Sequence, residues 1–208
     1  MEGAEATLRE LERVALRLMA SIAPLRIGVA RDGADLDAMF RLRGTEIVER
    51  GWAPPHALPS GRDRDEYDDD RAVQIAIWDT AEVVGACRLL LPSPHRWLPI
   101  ERDFDLRLEP RGGVVQWSRL VLAQRLRGDP QHRLAMACFA ALWLQTTARG
   151  FDACAGAVAK PMLELYRAIG MDFQVMAPPR VVDGEERYPA LSSAATARSA
   201  LDVMRRLL

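Results

Sequence analysis

The sequence predicts an α/β fold with a mixed sheet in one domain. Three observations carry that reading. Short segments of alternating apolar residues are interleaved with helical stretches whose apolar residues recur every three or four positions. Two β segments, 73–79 and 82–91, flank a turn at Asp79-Thr80-Ala81 and read as a hairpin. The 208 residues are 49% apolar and 27% charged, and no linker or internal repeat divides them, which suits a single core.

The elements follow in order. Residues 4–22 form an amphipathic helix, with Leu8, Leu11, Val14, Leu18 and Ile22 on one face and Pro24 as its stop. That stripe is expected to pack on the domain or on a partner subunit, because left bare it is an apolar patch. Residues 25–30 alternate and suit a strand. Asp32-Gly33 makes a turn into a helix from Asp35 to Arg50. Residues 51–70 lack periodicity and end in the charge run GRDRDEYDDD, which reads first as a solvated loop. Gly85 interrupts the second hairpin strand and signals a bulge or a close backbone approach. Residues 92–113 are loop with a short helical turn, and 114–123 (VVQWSRLVLA) are a strong strand. A helix over 131–148, a small-residue strand over 152–158, a helix over 161–169 and a strand over 171–176 come next. A β segment near 187–192 and a helix through Leu201, Met204 and Leu208 close the chain.

Composition excludes several functions. Twenty-eight basic and 29 acidic residues give a net charge of -1, unlike a generally basic nucleic-acid binder. No apolar run approaches the roughly 18 residues of a membrane span. Residues 1–22 carry charges throughout, so no signal peptide is expected. Cys87, Cys138 and Cys154 are isolated, which suggests neither zinc nor disulfides and points to the cytoplasm. The spacing of His56, His95 and His132 suggests no metal site.

Charge inside apolar strands is the informative signal. Arg88 lies in GACRLLL and Arg119 in WSRLVLA. A guanidinium does not neutralise itself, so a buried one needs water, a carboxylate or an anionic ligand. The plain alternative is that both emerge on an exposed face. The sharper reading turns them into a polar cleft with Asp65 and Asp68, a seat for a zwitterion.

These residues carry a resemblance. Val48-Glu49-Arg50-Gly51-Trp52, Asp65-Glu66-Tyr67-Asp68, Gly85 to Leu90, Trp117-Ser118-Arg119, Met162 to Tyr166, Gly170 and Pro178-Pro179 together resemble the acyl-homoserine-lactone synthases. The resemblance spans about residues 25–193. It implies an acetyltransferase-like (GNAT-like) domain over 25–208, with a mainly antiparallel sheet flanked by helices, and makes 1–24 a helical extension. It also implies the reaction: an acyl group passes from acyl carrier protein or acyl-CoA to the amine of S-adenosylmethionine, and lactonisation releases methylthioadenosine. S-adenosylmethionine and the thioester are substrates, and no tightly bound cofactor or metal is implied. A homodimer stays open. An N-acyl amino acid synthase of the same fold, or a non-catalytic carrier-binding domain, is the alternative.

The resemblance assigns Arg43, Asp65, Asp68, Arg88, Gln116, Ser118 and Arg119 to the catalytic cleft, with Arg41 a rival for Arg43. It assigns Trp52 and Phe104 to substrate binding. Amides near Ser118 to Val121, Leu120 included, suit an oxyanion site. Leu142, Trp143, Met162 and Tyr166 are the candidate acyl wall. Ala157 and Val158 offer no hydroxyl there, so an unsubstituted acyl chain is expected. Arg125, Arg127, Arg133 and Arg149 are expected to form a basic face for an acidic carrier protein. Gln116 stands where the family has Glu. Three arginines then face two carboxylates, and an acceptor carboxylate is expected to complete the cluster.

Overall fold

The computed structural model describes residues 2–128, 132–168, 171 and 173–194. Five helices and eight strands are described: α1 Glu2–Ala20, β1 Arg26–Val29, α2 Gly33–Glu49, β2 Ala72–Asp79, β3 Glu82–Leu90, α3 Pro99–Phe104, β4 Val115–Leu122, α4 Arg133–Thr147, β5 Ala153–Ala159, α5 Lys160–Ala168, β6 Gln174–Val175, β7 Arg180–Val182 and β8 Glu185–Ser193. The mixed, mainly antiparallel sheet flanked by helices is as expected. Two details differ. The strand expected over 171–176 shortens to β6, and β7 was not anticipated, its three residues being too few to show a period. The expected helix through Leu201, Met204 and Leu208 lies outside the described residues.

The sheet order is β1-β2-β3-β4-β5-β8-β6, with β7 paired to β8. Every pairing is antiparallel except β4 with β5. A parallel pair needs a crossover, and α4 supplies it. The β2 and β3 strands are buried almost end to end, because α4 covers one face and α2 the other. Leu11, Val14, Ala15 and Leu18 of α1 pack on α4 within the largest core cluster. Burial of each leucine or valine among them contributes about 1.5–3 kcal/mol. Gly85 marks a bulge, as its position suggests, and what crowds it is side chain rather than backbone. The β2–β3 register shifts beside it, and a Cβ there would lie 3.0 Å from Ile77 and Leu122 side-chain atoms. No described helix is long and apolar enough to cross a membrane.

Candidate active site

The site forms where β4 and β5 part. Their pairing ends after Val115↔Cys154 and Gln116↔Ala155. Just beyond, the chains still run close: a Cβ on Gly156 would lie 3.1 Å from Trp117 O. On its other edge β4 bulges, since Ala86↔Val121 and Arg88↔Ser118 leave Arg119 and Leu120 opposite Cys87 alone. Arg119 takes φ 56°, a left-handed conformation that costs a non-glycine residue on the order of 1–3 kcal/mol. The bulge takes an amide out of the β3 ladder and re-aims the strand.

Two cavities meet at this divergence. One, of about 230 Å³, is bounded by Trp52, Leu120, Leu142, Met162 and Tyr166 among others. Stacked, edge-on and tilted ring pairs (Trp117 with Phe139, Phe139 with Tyr166, Tyr166 with Phe173) tie α4 and α5 together at its wall. The other, of about 480 Å³, is polar and includes Asp65, Arg88, Asp103, Gln116 and Asp183. Trp117, Ser118, Arg119, Ala157 and Arg187 belong to both.

An ion network closes the inner side of the polar cleft. Arg43, fully buried on α2, donates from Nε to Asp63 at 2.8 Å and from both terminal nitrogens to Asp68 at 3.1 and 3.0 Å. Arg88 Nη1 donates to Asp65 at 2.7 Å and Asp68 at 2.8 Å, and its Nε to Ser118 Oγ at 3.1 Å. Arg119 pairs with Asp63 at 2.9 Å and Asp65 at 3.1 Å. Gln74 adds a 2.7 Å bond to Asp68. Burial alone would push the Asp68 carboxyl up, but Arg43 and Arg88 hold it well below the usual range. Asp65 is lowered in the same way: Arg88 outweighs burial.

Asp63 is the residue that the sequence reading missed, and it corrects the charge count. Three arginines face three aspartates, so the cluster has no excess positive charge waiting for an acceptor carboxylate. Gln116 is not a gap in it. Its amide oxygen accepts from Ile100 N–H at 3.0 Å, outside the network. The signal for Asp63 was Gly44, an unusual residue mid-helix beside Arg43. A Cβ on Gly44 would lie 2.2 Å from Gly61 O, so only glycine lets the 61–63 segment close on α2. Asp63 N–H then bonds Phe40 O at 3.0 Å. The charge run is thus a solvated loop only in part, since Asp63, Tyr67 and Asp68 are turned inward. Arg41, the rival of Arg43, is exposed and pairs with Asp37.

Of the other predicted site residues, Trp52, Ser118, Leu120, Leu142, Met162 and Tyr166 reach the apolar cavity. Two do not. Trp143 lies beside a small cavity between α1 and α4, where its ring packs edge-on against Trp117. Phe104 is core beneath α3, with Leu98 and Ile100. The Val121 side chain joins the core on the α2 side of the sheet with Met39 and Ala86, while the group expected at the oxyanion site is its backbone amide. Of the arginines of the expected basic face, Arg125 pairs with Glu82 and Asp79, and Arg127 with Glu46 and Glu49, so carboxylates offset these two, while Arg149 bonds the neutral Gln145. Among the described residues no His, Cys, Asp and Glu cluster could hold a metal ion.

This fold and this divided site define an acyl-transferring enzyme. The family model of the N-acyl amino acid synthase FeeM matches residues 38–195, more than half of the chain. The chain belongs to that family. FeeM itself, an N-acyl amino acid synthase from uncultured soil microbes, superposes with a TM-score of 0.71 at 10% identity, over 91% of this chain and 100% of that one. BjaI, a CoA-dependent acyl-homoserine lactone synthase with MTA, gives 0.64 at 24% identity over 84% and 82%. TofI, in a ternary complex with an inhibitor and MTA, gives 0.64 at 24% identity over 88% and 99%. The likeness to the lactone synthases is thus one of fold. No curated protein sequence matches the chain.

Proposed function

We propose that this protein transfers an acyl chain from a carrier-protein or CoA thioester to the α-amine of an amino acid, giving an N-acyl amino acid. The observation that carries the reading is the meeting of an apolar and a polar cavity at Ser118–Arg119. The acyl chain lies in the first, along Leu142, Met162 and Tyr166, and the amine approaches from the second. Ala157 and Val158 face the chain without a hydroxyl, in keeping with an unsubstituted acyl group.

In the step itself the neutral amine attacks the thioester carbonyl carbon. The C–N bond forms, the C–S bond breaks, the sulfur leaves as thiolate, and the amine proton passes to water in the open cleft. An amide freed by the β4 bulge stabilises the developing oxyanion at hydrogen-bond distance. The ion network fixes the loop 63–68 against β3 and β4, so Ser118 and Arg119 are held in place rather than consumed as acid or base.

S-adenosylmethionine is the second candidate acceptor, since Trp52 stands on the cavity wall where the lactone-synthase resemblance puts it. Its surroundings favour the first. The Arg50 and Arg187 guanidiniums lie 4.9 and 4.7 Å from the Trp52 ring centroid. Two cations over one ring repel a sulfonium. Free, buried thiols at Cys87, Cys138 and Cys154 and a thioester donor fit a cytoplasmic setting.

The test is product analysis by mass spectrometry. Purified protein is given octanoyl-CoA or octanoyl carrier protein with each of the twenty amino acids, or with S-adenosylmethionine. An N-acyl amino acid is the expected product. A homoserine lactone moves the acceptor to S-adenosylmethionine, and no product with any pair overturns acyl transfer.

A further inference from the structure

Gln116 is only 4% exposed, yet half of its amide is unused. Its oxygen accepts from Ile100 N–H. A backbone N–H only donates, so this bond fixes which way the amide faces and leaves the NH2 group over. No described residue accepts from that NH2, and it is not one of the fully enclosed orphan atoms. It opens on the polar cleft. Two carboxylates border the same cleft without a close partner. Among the described cations Asp183 reaches only Arg119 Nη1, at 3.8 Å, and Asp103 only Arg102 Nε, at 3.5 Å. Both are beyond ordinary hydrogen-bond length. Burial also pushes the Asp103 carboxyl up. Arg43 and Arg88 cannot answer these groups, because Asp63, Asp65, Asp68 and Ser118 already hold them, and Arg119 comes no closer to Asp183 than 3.8 Å.

A buried donor on the floor and two under-partnered carboxylates at the rim ask for one ligand with both charges. We propose that the cleft binds the acceptor as an α-amino acid zwitterion, with Gln116 Nε2 donating to its carboxylate and Asp103 and Asp183 holding its ammonium, which gives up one proton to water in the open cleft before the neutral amine attacks. The assignment rests on the N-acylation reading and names the groups that select the acceptor. It makes Gln116 a carboxylate donor rather than a base. An amine without a carboxylate loses the Gln116 contact, and an esterified amino acid keeps only the weaker bond that its neutral carbonyl accepts.

Gln116→Glu is the clean test, because it keeps the oxygen that Ile100 uses and changes only the atom facing the cleft. With octanoyl-CoA, KM is measured for the best-used L-amino acid and for its methyl ester. The variant is expected to raise KM for the free acid at least tenfold and for the ester less than threefold, and Gln116→Ala shows the same split without the added charge. Asp103→Asn with Asp183→Asn raises KM for both, since both carry the ammonium. Equal changes for acid and ester at position 116, a kcat gain in the Glu variant, or an unmoved KM in the double Asn variant each overturn the assignment. If no amino acid is acylated, the parent reading fails separately. Thermal shift of the wild-type protein by free amino acids against their esters then decides this one, and equal shifts overturn it.

Discussion

The inner and outer halves of the polar cleft use the same residue types to opposite ends. Inside, Arg43, Arg88 and Arg119 share Asp63, Asp65 and Asp68 at hydrogen-bond distances, and the Arg43, Arg88 and Asp68 side chains are almost wholly buried. Outside, Asp103 and Asp183 keep 27% and 54% of their side chains exposed and meet cations only at 3.5 Å or more. A charge whose partners are all protein is committed to structure. A charge facing water with its partners out of reach is available to a ligand. The difference separates the scaffold of the site from its working surface, although both look alike as acidic and basic letters in the sequence.

The largest effect should come from breaking the inner half. Asp68→Asn removes the charge that Arg43 and Arg88 share. An uncompensated buried charge costs about 3–5 kcal/mol, or a fall of roughly 6–20 °C in Tm for a domain of this size. Asp183→Asn, at the rim, should stay within about 0.5 kcal/mol of wild type. Calorimetry on the two variants checks this, and similar losses at both positions would erase the distinction.

Much of this was legible in sequence, for physical reasons that differ by residue. Period-two and period-3.6 patterns marked the elements, because one face of each is buried. Arg88 and Arg119 stood out because guanidinium is costly in an apolar strand. Asp63 did not, since one aspartate in a run of six acids carries no mark of burial. What singles it out is the Gly44–Gly61 approach, a contact between segments far apart in the chain. Phe104 and Trp143 were misplaced for the converse reason: an apolar residue fits a core and a pocket wall equally well, and only the fold chooses. The pairing of Arg125 with Glu82 is likewise invisible until the β2–β3 turn and the segment after β4 are side by side.

Acid titration sharpens the comparison through opposite signs. Asp65 and Asp68 have folded pKa values below the ordinary 3.8. Their contribution is present above pH 3.8 and is lost as pH falls through the lowered values. Asp103 is raised above 3.8 by burial. Its contribution is full below pH 3.8 and is lost as pH rises through the raised value. Asp103→Asn should therefore melt higher than wild type at pH 7 and show no such gain near pH 3. Melting curves that run parallel for the two proteins between pH 3 and 7 would contradict the burial of Asp103. A gain in stability from removing an acceptor-facing charge is the trade-off expected of a binding residue.

The smallest effect belongs to ion pairs outside the cleft altogether. Arg125 bonds Glu82 at 3.0 and 2.9 Å, geometry as good as that of the inner network. The two side chains are 46% and 65% exposed, however. Water already solvates both ions, so the pair replaces hydration rather than answering a desolvated charge. Exposed pairs contribute about 0.2–1 kcal/mol, and salt screens them over roughly 10 Å at 0.1 M. Arg125→Ala should thus lower stability by less than about 1 kcal/mol, and the difference should vanish at 1 M salt. The Asp68→Asn loss should persist there, because counterions do not enter a fully buried pair. Urea unfolding of both variants at low and high salt makes the measurement. If salt rescued Asp68→Asn as fully as Arg125→Ala, burial would not be what distinguishes the two, and distance alone would have to explain the network.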